Sequence, residues 1–145
     1  MIYSLWIFDR HCNCIFDKEY TLNHSTPIVN SKTQQSRGKL IYGMIHSLRS
    51  MSVKMAPGNT LRTISTGKYR IHALFTASNL WIVIFSDLTH HELHERLDKI
   101  YELYLKYVVH NMLKPIDFKK AEEDGETAKI TNTSFIKAVD QVLCL

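Results

Sequence analysis

Three imidazoles fall within five positions of the chain: His90, His91 and His94. His90 and His94 are i, i+4, the spacing at which one helix face offers two nitrogens to a zinc ion. The metalloprotease version of that pattern places a glutamate directly after the first histidine as general base. Here His91 takes that place and Glu92 comes one step late, with no third or fourth ligand in the pattern. The solvated first turn of a helix is the better reading. His11, Cys12 and Cys14 form a second cluster, with Cys144 as a distant further thiol. A structural zinc site needs four ligands, so C-x-C without a second pair reads as small, apolar free cysteine. In an extended strand Cys12 and Cys14 would share one face.

Other chemistry lacks its signature. There is no G-x-S-x-G, no G-x-x-x-x-G-K-[ST] and no G-x-G-x-x-G. Gly67-Lys68 has no upstream glycine to shape a phosphate loop, and Asp9, Asp17, Asp87 and Asp98 are dispersed. The sequence therefore calls for no catalytic residue, no cofactor and no metal. Net charge is +4, which allows weak attraction to acidic surfaces but selects none. Arg37, Lys39, Arg49, Lys54, Arg62, Lys68 and Arg70 are spread over several elements, not gathered in a stripe with interleaved aromatics, so nucleic acid is not an expected partner. Three cysteines, an odd number, fit a reducing compartment. The start, "MIYSLWIFDR", meets Asp9 too soon for a signal peptide, and no apolar run approaches the ~18 residues of a membrane span.

The elements that must hold these residues can be read from period and punctuation. A chain of 145 residues, 45% hydrophobic, suits a single domain, 1–145. Residues 2–8 are β-branched and aromatic, and "CIFDKEY" follows after a short polar stretch, which predicts a hairpin. Residues 21–35 read as a loop, with Ser31 and Gln34 at capping-box spacing. Leu40, Ile41, Met44, Ile45, Leu48, Met51 and Met55 then step by threes and fours, the stripe of a helix that Pro57-Gly58 stops. Gly43 lies inside it, at the cost of about 1 kcal/mol relative to Ala; close approach by a neighbouring element would account for it, and a plain weak spot is the alternative. "LRTIST", "YRIHALFTA" and "LWIVIFS" predict three strands, the last apolar on both faces and hence central. Thr89 and Glu92 suggest a second capping box before the stripe Leu93, Leu97, Ile100, Tyr104, Val108 and Met112, which Pro115 ends. Residues 115–130, with the acidic run 122–126, read as a mobile loop. The tail carries Phe135, Ile136, Val139, Val142 and Leu143 at helical spacing, capped by Thr131 or Asn132. The order is β-β-α-β-β-β-α-α, an α+β domain whose period places two helices on one sheet face.

The remaining apolar residues exceed what such a domain hides. Tyr42 and Val53, with His46 and Arg49 between them, lie off the main stripe of the first helix. Tyr101, Leu105 and Val109 do so on the second, beside Tyr104, Tyr107 and Val108. Helices apolar over so much of their girth are deeply buried or meet a partner. The outer side of the first helix, Tyr42, His46, Arg49 and Val53, is the expected partner interface. Reversing Arg49 and truncating Tyr42 should then weaken assembly and spare the fold.

"YSLWIFDRHCNCIF", "KLIYGMIHSLRSMSVKM", "STGKYRIH" and "WIVIFSDL", in this order from Ile2 to about Phe135, resemble the small longin-like core subunits of TRAPP, the transport protein particle, of the Bet-five type. "KITN" and "DRHCNCIFD" resemble the fungal form. The resemblance implies a longin-like (profilin-like) five-stranded antiparallel sheet with helices on both faces. It implies a non-catalytic core subunit in endoplasmic-reticulum-to-Golgi vesicle tethering, contributing structurally to guanine-nucleotide exchange on a Rab-one-type GTPase. Partners would be longin-like and Bet-three-like subunits, with the GTPase and a peripheral membrane association reached through the complex, in the cytoplasm at Golgi and endoplasmic reticulum. A different reading is a stand-alone longin-type binding module in membrane traffic, which an attached SNARE helix or transmembrane tail would favour.

Overall fold

The computed structural model of the chain describes residues 1–20, 28–30, 35–113 and 129–143. The elements run β1 (Ile2–Phe8), β2 (Cys14–Glu19), β3 (Ile28–Val29), α1 (Gln35–Met55), β4 (Thr63–Ser65), β5 (Arg70–Phe75), β6 (Trp81–Ser86), α2 (His94–Tyr104) and α3 (Thr133–Leu143). A π-helical turn, Leu105–Val109, extends α2. The five expected strands are present, and all pairings are antiparallel in the spatial order β3-β2-β1-β6-β5-β4. The two-residue edge strand β3 is an addition in a stretch that reads as loop. Asn30, at φ +51°, fastens it: its backbone N–H donates to the Asp17 carbonyl at 2.8 Å, its side-chain oxygen accepts the Asp17 N–H, and its amide donates to the Ile130 carbonyl at 2.7 Å.

β1 and β6 sit at the centre because both of their faces are apolar. Leu5, Ile7, Ile82 and Ile84 point to one side, where Leu97, Ile100 and Tyr104 of α2 and Phe135, Val139 and Leu143 of α3 cover them. Trp6, Phe8, Trp81 and Val83 alternate to the other side, with Ile71 and Ala73 of β5, under Ile45 of α1. The helices therefore lie on both faces, not on one as the bare periods suggest. Strand alternation forces this, since a one-sided cover would leave a row of tryptophan and phenylalanine in water.

Local chemistry sets the ends. The turn of the first hairpin is closed by Asp9, whose Oδ1 accepts the N–H groups of His11 and Asn13 at 3.0 and 2.9 Å. Cys12 sits in that turn at φ +64°, so it does not share a strand face with Cys14, which opens β2. Thr89 does not cap α2: its hydroxyl donates to Asp87 Oδ1 at 2.6 Å, and the helix starts at His94 without a side-chain cap. Met112, placed by period on the helix stripe, lies beyond the π turn and is fully exposed. Asn132 caps α3, its side-chain oxygen accepting the Ser134 N–H at 3.0 Å. The Ser31–Gln34 capping box, Pro115, the acidic run and Cys144 lie outside the described residues, as does the loop 115–130 save its last two. Those two are tied down: Lys129 pairs with Asp17, and the Ile130 N–H donates to the Ile15 carbonyl at 2.8 Å.

The glycines of α1 settle the question about Gly43. No atom lies within 4 Å of where a Cβ would stand on Gly43, whereas at Gly38 the Cys14 Cβ would be 3.2 Å away. The close approach is at Gly38, and Gly43 is the weak spot. Gly43→Ala is expected to raise stability by about 0.5–1 kcal/mol, seen as a higher urea midpoint at unchanged slope.

Candidate functional site

α1 is held to the sheet mainly by flat, partly polar side chains. Among its described residues Ile45 is the fully buried side chain. Beside it the Tyr42 ring stacks on Trp81, with centroids 4.3 Å apart and planes within 13°, and meets Phe8 edge-on at 5.5 Å. His46 lies parallel to both Tyr42 and Trp81, at 6.1 and 6.2 Å. The Arg49 guanidinium stands 4.6 Å from the Phe75 ring centroid and 5.6 Å from that of Trp81, a cation–π arrangement. Half-buried Tyr42 and Arg49 therefore run along the sheet-facing flank of α1, with the exposed His46 at its margin. A tyrosine or arginine counts as polar in a helical wheel, yet its flat body packs well against indole. Val53 is the member of the expected interface with no such contact, and it is 48% exposed. The Cys12 thiol donates to the Tyr42 hydroxyl at 3.1 Å. Burial first, then that bond, push the Tyr42 phenol up to about 12, so it stays neutral.

With that flank turned inward, part of the predicted core stripe turns outward. Leu40 is 74% exposed, Met44 37%, Met51 57% and Met55 82%. At 100° per residue these four fall within ~60° of arc, on a line roughly 22 Å long. No described element covers them. The second helix shows the opposite outcome: Tyr101, Leu105, Tyr107 and Val109 pack against the core beneath α2 and α3. Leu105, Tyr107 and Val109 reach the cluster from the π turn and Tyr101 from α2 itself, and the surplus apolar side expected on α2 is absorbed within the chain.

The histidines diverge. His90 Nδ1 is 2.7 Å from Asp87 Oδ1, His91 Nδ1 is 2.9 Å from the Arg70 guanidinium, and the His94 ring meets that of His72 edge-on at 6.4 Å. Asp87 also accepts from the Met1 ammonium at 2.6 Å. That ammonium, then Thr89 and His90, hold the Asp87 carboxyl well below the usual range. Burial, with Asp17 adding to it, pushes the Cys14 thiol up to about 12, which makes it a poor ligand or nucleophile.

Two ion pairs, each with one buried member, escape sequence reading. Lys18, 3% exposed, donates to both oxygens of Asp140, which also accepts from the Tyr20 hydroxyl at 2.9 Å. Asp17 is paired with Lys129. They join β2 to α3 and to the strand-like entry before it. The available signal was the Asp17-Lys18 doublet inside an otherwise apolar hairpin, but its partners lie more than 100 residues away.

The Sybindin-like family profile matches residues 2–121. The chain is 49% identical over 151 aligned positions to "Trafficking protein particle complex subunit BET5" of Saccharomyces cerevisiae, spanning 98% of this chain and 95% of that protein. It is 31% identical to "Transport protein particle subunit bet5" of Schizosaccharomyces pombe, spanning 95% and 97%. It is 29% identical to "Trafficking protein particle complex subunit 1" of Homo sapiens, spanning 79% of each.

Two outcomes follow from this geometry. Tyr42→Ala removes the stack on Trp81 and is expected to cost at least about 1 kcal/mol of folding stability, measured by urea unfolding. His72, buried in β5, faces Ser86 Oγ at 3.2 Å through Nε2, while Nδ1 has no hydrogen-bond partner. Burial first, then the neighbouring His94 and Arg70, lower its pKa to about 4. The unfolded chain therefore takes up this proton first. Stability is full above about pH 6.5 and falls between there and pH 4, by up to ~1.4 kcal/mol per pH unit. His72→Gln should flatten that part of the stability–pH curve.

Proposed function

The chain belongs to the Sybindin-like family, and from that premise and the exposed face of α1 we propose that it is a core subunit of a TRAPP-type transport protein particle. The observation that carries the reading is the line Leu40, Met44, Met51 and Met55. It is an apolar strip on a well-formed helix, with no cover among the described residues. Such strips on soluble domains mark protein contacts, and the relatives at 49% and 31% identity are named as subunits of a particle. The occupant is a neighbouring subunit of that particle, laid along α1. The half-exposed flank Tyr42, His46 and Arg49, with Val53 beside it, borders this contact on the sheet side.

In the finer reading the chain contributes surface and no reactive group. The assembled core promotes nucleotide exchange on a Rab-one-type GTPase by binding its nucleotide-free state more tightly than its loaded state, and that difference in affinity drives release. Exchange of this kind uses no general base and no nucleophile. The chain acts in the cytoplasm, at Golgi and endoplasmic-reticulum membranes, in vesicle tethering, and it meets the membrane through the complex.

Leu40→Glu with Met51→Glu tests this. Both side chains point into solvent, so the variant should keep its circular dichroism and melting temperature. Co-expressed with the other particle subunits, it should lose co-purification by tenfold or more, and the recovered core should stimulate nucleotide release from the GTPase correspondingly less. Normal incorporation of a folded double variant would overturn the assignment of this face.

A further inference from the structure

The strip on α1 is built mainly from one kind of side chain, a polarizable thioether. Three of its four members are methionines, and the chain has only five. Met44, Met51 and Met55 are exposed, as is Met112, and no methionine belongs to the buried core among the described residues. Oxidants therefore reach the thioethers of α1 in the free chain, while the packed interior holds no sulfur of this type to damage. A neighbour laid on the strip would shield the same three atoms.

We propose that Met44, Met51 and Met55 form a reversible oxidation site that governs whether the free subunit can assemble; the proposal rests on the reading of this strip as a subunit contact. A hydroperoxide such as hydrogen peroxide transfers one oxygen to each thioether sulfur. The peroxide O–O bond breaks, an S=O bond forms, the sulfur is oxidised by two electrons and water leaves. Methionine sulfoxide reductase returns the thioether, with two thiols becoming one disulfide and the oxygen leaving as water. The sulfoxide is a strong, polar acceptor where the strip offers apolar surface. Burying it against an apolar partner without a donor is unfavourable, and three along one helix line act on the same contact. Because the core contains none of them, oxidation changes the surface and leaves the fold in place.

The test treats the full chain with hydrogen peroxide, quenches it, and reduces thiols with dithiothreitol, which restores Cys12 but not sulfoxides. Peptide mass spectrometry is expected to find sulfoxide at Met44, Met51 and Met55 with unchanged circular dichroism. Affinity for the co-expressed remaining particle subunits should fall at least tenfold and return after sulfoxide reductase. Met112→Leu should show the same peroxide-dependent loss. Met44→Leu/Met51→Leu/Met55→Leu should show none, judged as the ratio of its own affinities before and after peroxide. If the three sulfoxides form and affinity is unchanged, or if they do not form, the proposal is overturned. In either case loss of assembly by Leu40→Glu/Met51→Glu would leave the subunit-contact reading standing; normal assembly of that charged variant would remove both.

Discussion

The stack of Tyr42 on Trp81 sets the rotation of α1, and most of what is distinctive about the molecule follows from that rotation. A helix of this length could present either of two apolar arcs to the sheet. One carries Leu40, Met44, Met51 and Met55; the other carries Ile41, Tyr42, Ile45 and Arg49. The sheet beneath offers Trp6, Phe8, Phe75 and Trp81, a broad aromatic surface. Flat rings and a guanidinium stack on such a surface, as Tyr42 does on Trp81 and Arg49 on Phe75. The aromatic arc turns inward, and the aliphatic arc faces out.

The other sheet face obeys a different logic. There the cover is aliphatic, from α2 and α3, and charge fixes its position. Lys18–Asp140 and Asp17–Lys129 join β2 to the C-terminal helix and its approach. Buried pairs add little net stability compared with apolar replacements, but a partner removed leaves an uncompensated charge. Their effect is to specify where α3 docks. The two faces thus divide the work. The α2/α3 face is closed and self-sufficient, while the α1 face is closed on its inner side only.

Chemistry-bearing residues are absorbed into this architecture. The three histidines that resemble a metal-binding run point toward Asp87, Arg70 and His72. The Cys12–Cys14 pair is split by a turn, one residue exposed and the other half-buried. What these groups do is join the start of β1, the end of β6 and the entry to α2. The properties left for function are those of a surface: an apolar line on α1, bordered by a half-exposed aromatic and cationic flank.

Strand and helix identity could be read from residue order because both depend on local period and punctuation. The β-branched and aromatic runs "IYSLWIF" and "LWIVIFS", the Pro57-Gly58 stop and the Asn132 cap are short-range facts, and they stand in the structure at the expected places. The central position of β6 follows from its two apolar faces. Three things were decided only in three dimensions. The side of α1 that meets the sheet depends on which residues lie opposite, and those come from strands on both sides of it in the chain, such as Phe8, Phe75 and Trp81. The added edge strand depends on Asn30 finding both Asp17 and Ile130. The absorption of the second apolar side of α2 depends on a π turn and on α3. A periodic pattern counts apolar positions around a helix, but it carries no information about the surface that will compete for them. Shape and aromatic complementarity between distant segments settle that choice, and they exist only once the chain has folded.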